Sequence, residues 1–283
     1  MTAQRPILDA EEVWRRYDRT EARLSSPLSA RMLELARVRP GMRVLDLATG
    51  RGEPAILAAH RVGPGGSVLG IDISEPMLAM ARERASLEGL TNLELRALDA
   101  QALQALPAAS FDAVLVRWGL MYMDAPLEAL IGARRALAPG GTLVAAVWVE
   151  PERVPYFTLP RRLLEKYRSV PPIDPNAPGT FRYADPERLR DDLARAELQV
   201  EHIEELEVAV MEAQTPAELV AWVRAFGLTR LLNDLPAEAQ RAWEQDLVDA
   251  AEPLRTDGFI RLGGVTRIVV ASRQDLATQR SPL

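Results

Sequence analysis

The clearest chemical pattern in the sequence is a glycine-rich turn that follows a short apolar segment. Residues 44–47 (VLDL) lead into residues 48–52 (ATGRG), and a helix-like stretch comes next. Glycines let the backbone adopt positive φ and let a ligand approach closely, and a helix N-terminus offers N–H groups that lack intrahelical partners. The Gly50-x-Gly52 spacing alone is also compatible with a ligand-free tight turn or a dinucleotide-binding loop.

Three aspartates at the ends of three successive apolar segments narrow the choice of ligand. They are Asp46, Asp72 and Asp99. In an open parallel sheet, the carboxyl ends of successive strands meet at one crevice. A carboxylate at Asp46 suits a cationic amine and repels a pyrophosphate. Asp72 can accept hydrogen bonds from ribose hydroxyls, and Asp99 with Ala100 can pair with an exocyclic amine such as that of adenine.

The elements that must hold these residues alternate between strand and helix. Short apolar segments bounded by Gly, Pro, Asn or Asp predict five strands, at 43–47, 67–73, 93–97, 111–117 and 141–149. Helix-like stretches lie between them at 54–62, 75–88 and 126–137. This alternation predicts βαβ units and a parallel sheet covered on both faces.

The pattern changes after residue 150. A proline-rich stretch at 151–184 predicts one helix (158–168) and a long loop, and a second helix follows at 185–196. The last elements are expected to be a strand at 199–210, a helical stretch at 215–256 and a final strand at 265–272. The helical stretch is expected to cover one edge of the sheet as a cap.

Composition excludes several classes of protein. The net charge of −6 and the absence of a basic run disfavour nucleic acid and anionic lipid as partners. No cysteine and only two histidines, His60 and His202, exclude disulfides, cysteine nucleophiles and cysteine- or histidine-rich metal sites, so no metal is predicted. The sequence shows neither a signal peptide nor a membrane-spanning run, so a cytoplasmic protein is expected. The sequence is compatible with a homodimer.

Together the motifs resemble those of the class I S-adenosylmethionine (SAM)-dependent methyltransferases, within them the ubiquinone/menaquinone-biosynthesis-like branch. The resemblance runs from about residue 38 to residue 149. It rests on VLDLATGRGEPA, VLGIDISEPML, LRALDAQAL, FDAVLVRWGLMYM and LAPGGTLV, which occur in family order. It implies a doubly wound α/β fold: a seven-stranded, mostly parallel Rossmann-like sheet with an antiparallel last strand and a helical cap. The implied cofactor is SAM, and the product S-adenosylhomocysteine (SAH).

The resemblance also implies roles for individual residues. The methionine part of SAM would be held by the glycine-rich turn, namely Asp46, Ala48, Gly50 and Gly52, with Thr49 in the same turn. The nucleoside part would be held by Asp72 at the ribose, Ile73 and Met77 against the adenine, Asp99 at the adenine amine and the Ala100 N–H at the ring. The floor beneath the methyl group would be lined by Arg117 and Trp118.

A general base is harder to find. Many relatives carry a histidine shortly after the fourth strand, where this chain has Met121 and Tyr122. His60 and His202 are expected to be surface or packing residues. Tyr122 and Tyr17 are therefore the candidates for a catalytic role, with simple packing as the alternative for both. Without a base, the acceptor is expected to be an easily ionised hydroxyl or an activated carbon.

Aromatic residues at and after the end of the fifth predicted strand indicate an apolar, partly aromatic small-molecule substrate. Trp148, Tyr156 and Phe157 are predicted to line its pocket. Trp222 and Phe226 are four residues apart on a predicted helix and are expected to belong to the core instead.

The predicted organisation has six parts. They are an N-terminal helical lid (1–37), the SAM-binding core (38–150), a substrate insert (151–198), a strand completing the core (199–214), the helical cap (215–260), and the last strand with a tail (261–283). Two other functions stay open. A nicotinamide-dependent oxidoreductase is opposed by the charge of Asp46, and a SAM-binding protein with other chemistry is favoured by the missing histidine.

Overall fold

The structure is a computed structural model that describes residues 10–273, except for the side chains of residues 10–14, 16, 226, 227, 229 and 230. Residues 1–9 of the predicted lid, residues 274–283 of the predicted tail and the Phe226 side chain lie outside the described residues. The chain divides into two compact units. The sheet unit contains residues 26–149, 174–206 and 266–273, and the helical unit contains residues 10–25, 150–173 and 207–265.

Within the described residues, the strands form one mixed sheet. Their bounds are β1 Arg43–Leu47, β2 Ser67–Asp72, β3 Leu93–Ala97, β4 Phe111–Arg117, β5 Leu137–Trp148, β6 Leu198–Ala213, β7 Arg255–Thr256 and β8 Phe259–Arg273. The order is β3-β2-β1-β4-β5-β8-β6, and β7 pairs with β8. Strands β1 to β5 pair in parallel, and β8 runs antiparallel to β5. The seven predicted strands and the antiparallel last strand are confirmed, and the two-residue β7 is an addition.

The helices that the structure describes follow the same chain order. They are α1 Ala10–Leu35, α2 Ala55–Val62, α3 Glu75–Leu87, α4 Pro126–Ala136, α5 Pro155–Leu164, α6 Pro186–Arg195, α7 Pro216–Val223, α8 Thr229–Asn233 and α9 Ala237–Ala251. At least two of these helices begin at a residue whose side chain caps the helix. The Ser74 hydroxyl accepts from the Met77 N–H at the start of α3, and the Asp185 carboxylate accepts from the Glu187 N–H at the start of α6.

The sheet unit is built on apolar strands that are buried on both faces. In β1, Val44, Leu45 and Leu47 are almost completely buried, and β4 is buried throughout its centre. Such continuous apolar runs are typical of parallel strands covered by helices. Full burial of one such side chain stabilises the fold by roughly 1.5–3 kcal/mol. The ends of these strands are thereby fixed, and the polar residues that follow them are held in place.

The helical unit has its own core around Trp243, which is fully buried and whose indole N–H donates to the Pro160 carbonyl oxygen at 3.1 Å. Trp222 is buried here, so its predicted core position is confirmed. The predicted helical stretch 215–256 is not continuous, because α8 ends at Asn233 and α9 begins after Pro236. Proline disfavours helical geometry at the residue before it, which explains the break.

Candidate functional site

The glycine-rich turn after β1 has an unusual backbone. Ala48, Gly50 and Gly52 all have positive φ, at 53°, 54° and 95°. A side chain at position 52 would place its Cβ 2.7 Å from the Ile56 side chain, so α2 can pack closely only against glycine there. The Thr49 N–H donates to the Ile71 carbonyl oxygen at 2.9 Å, which ties the turn to β2. The positive φ of Ala48 is uncommon outside glycine and is typical of a functional turn.

Asp46 lies fully buried at the end of β1, beneath this turn. Its Oδ2 accepts a hydrogen bond from the Ala55 N–H at 3.2 Å. Within the described part of the chain, neither Asp46 Oδ1 nor Thr49 Oγ1 has a hydrogen-bond partner of normal geometry. Burial raises the pKa of Asp46 to about 7, against the opposing effects of the Thr49 hydroxyl, the Arg117 guanidinium and the Ala55 N–H. A buried carboxylate that has one oxygen without a hydrogen-bond partner is suited to bind a cationic ligand group.

Asp72 connects the end of β2 to the glycine-rich turn. Its Oδ2 accepts from the Gly50 N–H and its Oδ1 from the Ser74 N–H, both at 2.8 Å. Each carboxylate oxygen has a second lone pair, so Asp72 can still accept hydrogen bonds from a ligand's hydroxyls. The next residue, Ile73, has 77% of its surface exposed and offers an apolar contact for a flat ring. Met77 is partly buried in the first turn of α3.

Asp99 follows β3 and is exposed, whereas Ala100 is buried. The Asp99 carboxylate accepts from the Gln101 N–H at 2.8 Å and from the Gln101 side-chain amide at 3.1 and 3.2 Å. The Gln101 Oε1 accepts from the Ala125 N–H at 2.5 Å. Gln101 thus joins Asp99 to the segment that precedes α4, a role that the sequence analysis missed. The Asp-Ala-Gln order at the start of a helical turn was the available signal.

Trp118 directly follows β4 and is held on several sides. It has a φ of 55°, and its indole N–H donates to the Thr266 hydroxyl at 3.0 Å. The rings of Trp118 and Trp148 stack with centroids 4.5 Å apart and planes 13° apart. Trp148, predicted to contact substrate, is 2% exposed, and in this structure its ring supports Trp118. Its contact with substrate stays a prediction.

Arg117, the last residue of β4, lies beside the same ring. Its guanidinium carbon is 5.0 Å from the Trp118 ring centroid, and its Nη1 donates to the Ser29 hydroxyl at 3.3 Å. Gly119 follows, and a Cβ there would lie 2.5 Å from the Ala48 Cβ. The segments after β1 and β4 therefore approach each other as closely as their backbones allow. Neither Ser29 nor Gly119 was predicted, because their roles depend on the fold that brings them to this strand end.

The candidate catalytic tyrosines lie in different units. Tyr122, in the sheet unit, is 51% exposed, and its hydroxyl is 3.0 Å from the Thr180 hydroxyl oxygen. Partial burial raises the pKa of Tyr122 above the ordinary tyrosine value, so its phenol is protonated at neutral pH.

Tyr17 lies in the helical unit within an aromatic cluster that also contains Tyr156, Phe157 and Trp222. Tyr17 is 9% exposed, and its ring centroid lies 4.2 Å from that of Trp222. The Trp222 indole N–H donates to the Tyr156 hydroxyl at 3.4 Å, and the Tyr156 and Phe157 rings meet edge to face at 4.7 Å. The structure therefore brings three of the predicted residues together, in tight packing.

The two histidines are surface residues, as predicted. His60 lies 2.6 Å from Glu88, and His202 lies 2.8 Å from Glu204, with about half of each histidine side chain exposed. In the described residues, no group of three or more His, Asp or Glu side chains is arranged to hold a metal ion. None of the helices described is long and apolar enough to cross a membrane.

Comparison with known proteins shows that the chain is similar to methyltransferases. A family model described as a methyltransferase domain matches residues 39–169. The chain is 41% identical over 128 residues to nocamycin O-methyltransferase from Saccharothrix syringae, covering 45% of each protein. It is 34% identical over 156 residues to aklanonic acid methyltransferase DauC from Streptomyces sp. strain C5, covering 53% of this chain and 70% of the relative. Demethylmenaquinone methyltransferase from Thermus thermophilus is 40% identical over 124 residues, 44% of this chain and 54% of the relative.

Solved structures share the fold. A SAM-dependent methyltransferase from Aquifex aeolicus superimposes with a TM-score of 0.53 at 22% identity, covering 70% of this chain and 93% of that one. The [4+2]-cyclase SpnF gives a TM-score of 0.56 at 20% identity, covering 88% and 81%.

The chain belongs to the class I SAM-dependent methyltransferases, in the small-molecule branch, and the resemblance stated from the sequence is confirmed. SAM is the cofactor of this family. The chain spans about half the length of the nocamycin and demethylmenaquinone relatives.

Proposed function

We propose that this protein transfers the methyl group of SAM to a hydroxyl or an activated carbon of a small apolar or aromatic molecule. The observation that carries the proposal is the fully buried Asp46, whose Oδ1 lacks a partner among the described residues beneath the glycine-rich turn. This group suits an ammonium and repels a pyrophosphate. The relatives named nocamycin O-methyltransferase and demethylmenaquinone methyltransferase support an acceptor that is natural-product- or quinone-like.

The residues at the strand ends fit SAM as a ligand. Asp46 would pair with the ammonium of its amino-acid part, and the turn from Ala48 to Gly52 would approach that part with backbone alone. Asp72 would accept from the ribose hydroxyls, Ile73 and Met77 would cover the adenine, and Asp99 with Ala100 would pair with its edge. When bound, SAM supplies a methyl group on a positively charged sulfur.

The protein's own contribution to the reaction is to position and shield the reactants. A bound acceptor held in line with the methyl group gains rate from proximity and orientation. Trp118, fixed by Thr266 and Trp148, would give a rigid wall at the end of β4. Tyr122 keeps its proton and can donate a hydrogen bond. We therefore propose that the acceptor brings its own reactivity, as an ionised hydroxyl or an activated carbon.

The substrate contacts are part of the proposal. Tyr156 and Phe157 are partly buried in the helical unit and are proposed to contact an apolar acceptor. Tyr17 is proposed to act with them, and residues 215–260 are proposed to form the cap. A cytoplasmic location, the absence of a nucleic-acid partner and a possible homodimer are likewise proposals from the sequence.

A second candidate is SAM-dependent chemistry other than methyl transfer. The placement of both histidines on the surface, each beside a glutamate, favours it, because it leaves neither of them as a base. A nicotinamide-dependent oxidoreductase is the third candidate, and the buried Asp46 opposes it, because this carboxyl group would repel a pyrophosphate when ionised.

Turnover with defined acceptors tests the proposal. The purified protein would be incubated with SAM and a panel of phenols, hydroquinones and β-dicarbonyl compounds, and SAH and product masses would be measured. Equimolar SAH and methylated product would support methyl transfer. A rearranged product of unchanged mass without SAH would support the second candidate and contradict the first.

A further inference from the structure

We propose that Tyr122 donates a hydrogen bond to an oxygen atom of the methyl acceptor, and that Thr180 holds the Tyr122 hydroxyl in position for this contact. The site would therefore select acceptors whose reactive group is a phenolate or an enolate. This inference deepens the proposed function and rests on it, because it concerns the molecule that SAM would methylate.

The segment from Gly119 to Ala125 follows the carboxyl edge of the sheet. A Cβ at Gly119 would lie 2.5 Å from the Ala48 Cβ, so the segment begins against the turn after β1. It ends at Ala125, whose N–H donates to the side chain of Gln101 in the helical turn that follows β3. Tyr122 lies midway between these two contacts in the sequence. Its ring is therefore attached to the edge at which open α/β sheets bind their ligands.

A second segment, residues 179–184, pairs with the backbone beside Tyr122. The Gly179 N–H donates to the Met121 carbonyl oxygen at 2.9 Å. The next residue, Thr180, has its hydroxyl oxygen 3.0 Å from the Tyr122 hydroxyl oxygen. The backbone bond and the side-chain bond connect neighbouring residues of the same two segments, so the two hydroxyls are held as a pair.

The segment that carries Thr180 is anchored to the sheet unit. Tyr183 is fully buried, and the guanidinium of Arg267 in β8 donates to the carbonyl oxygens of Tyr183 at 3.2 Å and Ala184 at 3.0 Å. Thr180 itself is only partly buried. A hydroxyl on a segment fixed in this way has little freedom to lose when a ligand binds beside it.

The pair of hydroxyls keeps one donor for a ligand. Each hydroxyl carries one hydrogen, and the bond between them uses one of the two. Among the described residues, neither hydroxyl has a further hydrogen-bond partner. A phenol is a stronger donor than an aliphatic alcohol, which favours Thr180 donating to Tyr122 and Tyr122 donating to the ligand. Tyr122 is also the more accessible of the two, with 51% of its surface exposed.

An anionic oxygen is the partner that this donor suits best. Partial burial raises the pKa of Tyr122, against the opposing effect of the Thr180 hydrogen bond, so its phenol carries the proton that it donates. A hydrogen bond to an ionised oxygen is roughly twice as strong as one between neutral groups. The contact would thus favour the ionised form of the acceptor, as the proposed reaction without a histidine base requires.

Two fluorinated ligands that differ only in a hydroxyl group test the assignment. Pentafluorophenol is ionised at neutral pH, and pentafluorobenzene lacks the oxygen. Both would be titrated into the SAH-loaded protein and followed by fluorine NMR. We expect Tyr122→Phe to weaken the binding of pentafluorophenol by about 10- to 100-fold, the range of a hydrogen bond to a charged group, and to leave the binding of pentafluorobenzene unchanged.

Variants of Thr180 test the positioning role. Thr180→Val keeps the shape of the side chain without its hydroxyl and should weaken pentafluorophenol binding by about 2- to 10-fold, whereas Thr180→Ser should bind it as the wild type does. Tyr167→Phe is the matched control, because it removes a tyrosine hydroxyl that donates to Asp246 in the helical unit. It should change neither affinity.

Equal weakening of both ligands by Tyr122→Phe would show a structural role and overturn the inference. Unchanged binding of pentafluorophenol by Tyr122→Phe would also overturn it, as would failure of the SAH-loaded wild type to bind pentafluorophenol. These outcomes leave the proposed cofactor site standing. Failure of the wild type to bind SAH, measured first by calorimetry, would instead overturn the proposed function, and this inference with it.

Discussion

The Asp72 carboxylate accepts a hydrogen bond from the backbone N–H of Gly50 at 2.8 Å, across the parallel pair β1 and β2. Through its other oxygen it accepts from Ser74, the residue that caps α3. One side chain therefore fixes the glycine-rich turn and the start of α3 while it faces the proposed ribose position. The geometry of the turn and the proposed binding of the ribose therefore depend on the same carboxylate.

Replacing Asp72 with alanine should weaken SAH binding at least about tenfold, because both the ligand's hydrogen bonds and the support of the Gly50 turn are lost. Titration calorimetry would measure the affinity, and circular dichroism would confirm that the fold survives. Asp185→Ala is a suitable control, since Asp185 caps α6 and its loss should cost about 1 kcal/mol of stability without changing SAH affinity. An Asp72→Ala protein that binds SAH normally would show the site assignment to be wrong.

Asp46 should make the stability of the ligand-free protein depend on pH. Its pKa is about 7 in the fold against an ordinary value of 3.8, so the folded state binds the proton more tightly. The free energy of unfolding should therefore fall as the pH rises from 3.8 to about 7, and it should level off at higher pH. Asp46→Asn should remove this dependence on pH. Its free energy of unfolding should rise relative to that of wild type by at most about 3 kcal/mol between pH 5 and pH 8. Urea unfolding at pH 5 and pH 8 would measure this gain. A difference between Asp46→Asn and wild type that does not change with pH would contradict the raised pKa of Asp46.

Gly119→Ala should disturb the turn after β1, although position 119 follows β4. Its new Cβ would lie 2.5 Å from the Ala48 Cβ, which forces one of the two segments to move. We expect a loss of about 1–3 kcal/mol in stability and weaker SAH binding. Gly65→Ala introduces the same methyl group into open space and should change neither quantity. Equal melting temperatures and equal SAH affinities of the two variants would contradict the close approach of Gly119 to Ala48.

Tyr17→Phe separates chemistry from packing. The ring is 9% exposed and packs against Trp222, and phenylalanine preserves that contact. If the hydroxyl acts on the acceptor, kcat should fall while SAH affinity and the melting temperature stay near wild type. Tyr17→Ala should instead cost roughly 3–5 kcal/mol of stability, as a deleted core aromatic does. Full activity of Tyr17→Phe in the SAM turnover assay would assign Tyr17 to packing alone.

The elements and the acidic strand ends were predictable because their signals are local. Strands such as β1 are short apolar runs bounded by turn residues, and Asp46, Asp72 and Asp99 follow from their positions at strand ends. Proline residues also indicate the break near Pro236 and the start of α5 at Pro155. The first was not predicted because the apolar spacing on both sides of Pro236 is helical. The second was not predicted because many other prolines surround Pro155.

The supporting residues were beyond prediction for a different reason. Ser29, Thr266 and Gly119 act through contacts with residues distant in the chain, as the Trp118–Thr266 hydrogen bond shows. No local pattern marks a serine in a helix or a threonine in the last strand as a neighbour of β4. The sheet order β1-β4-β5-β8 brings Gly119 beside the turn after β1 and Thr266 within reach of Trp118, and the packing of α1 brings Ser29 to Arg117.

The most direct test of the central claim is calorimetric titration of the purified protein with SAH and, separately, with NADH. Micromolar binding of SAH without binding of NADH is the predicted result, because the site presents Asp46 to a cationic amino-acid group. Binding of NADH in preference to SAH, or no binding of SAH, would contradict the proposed roles of Asp46, Asp72 and Asp99.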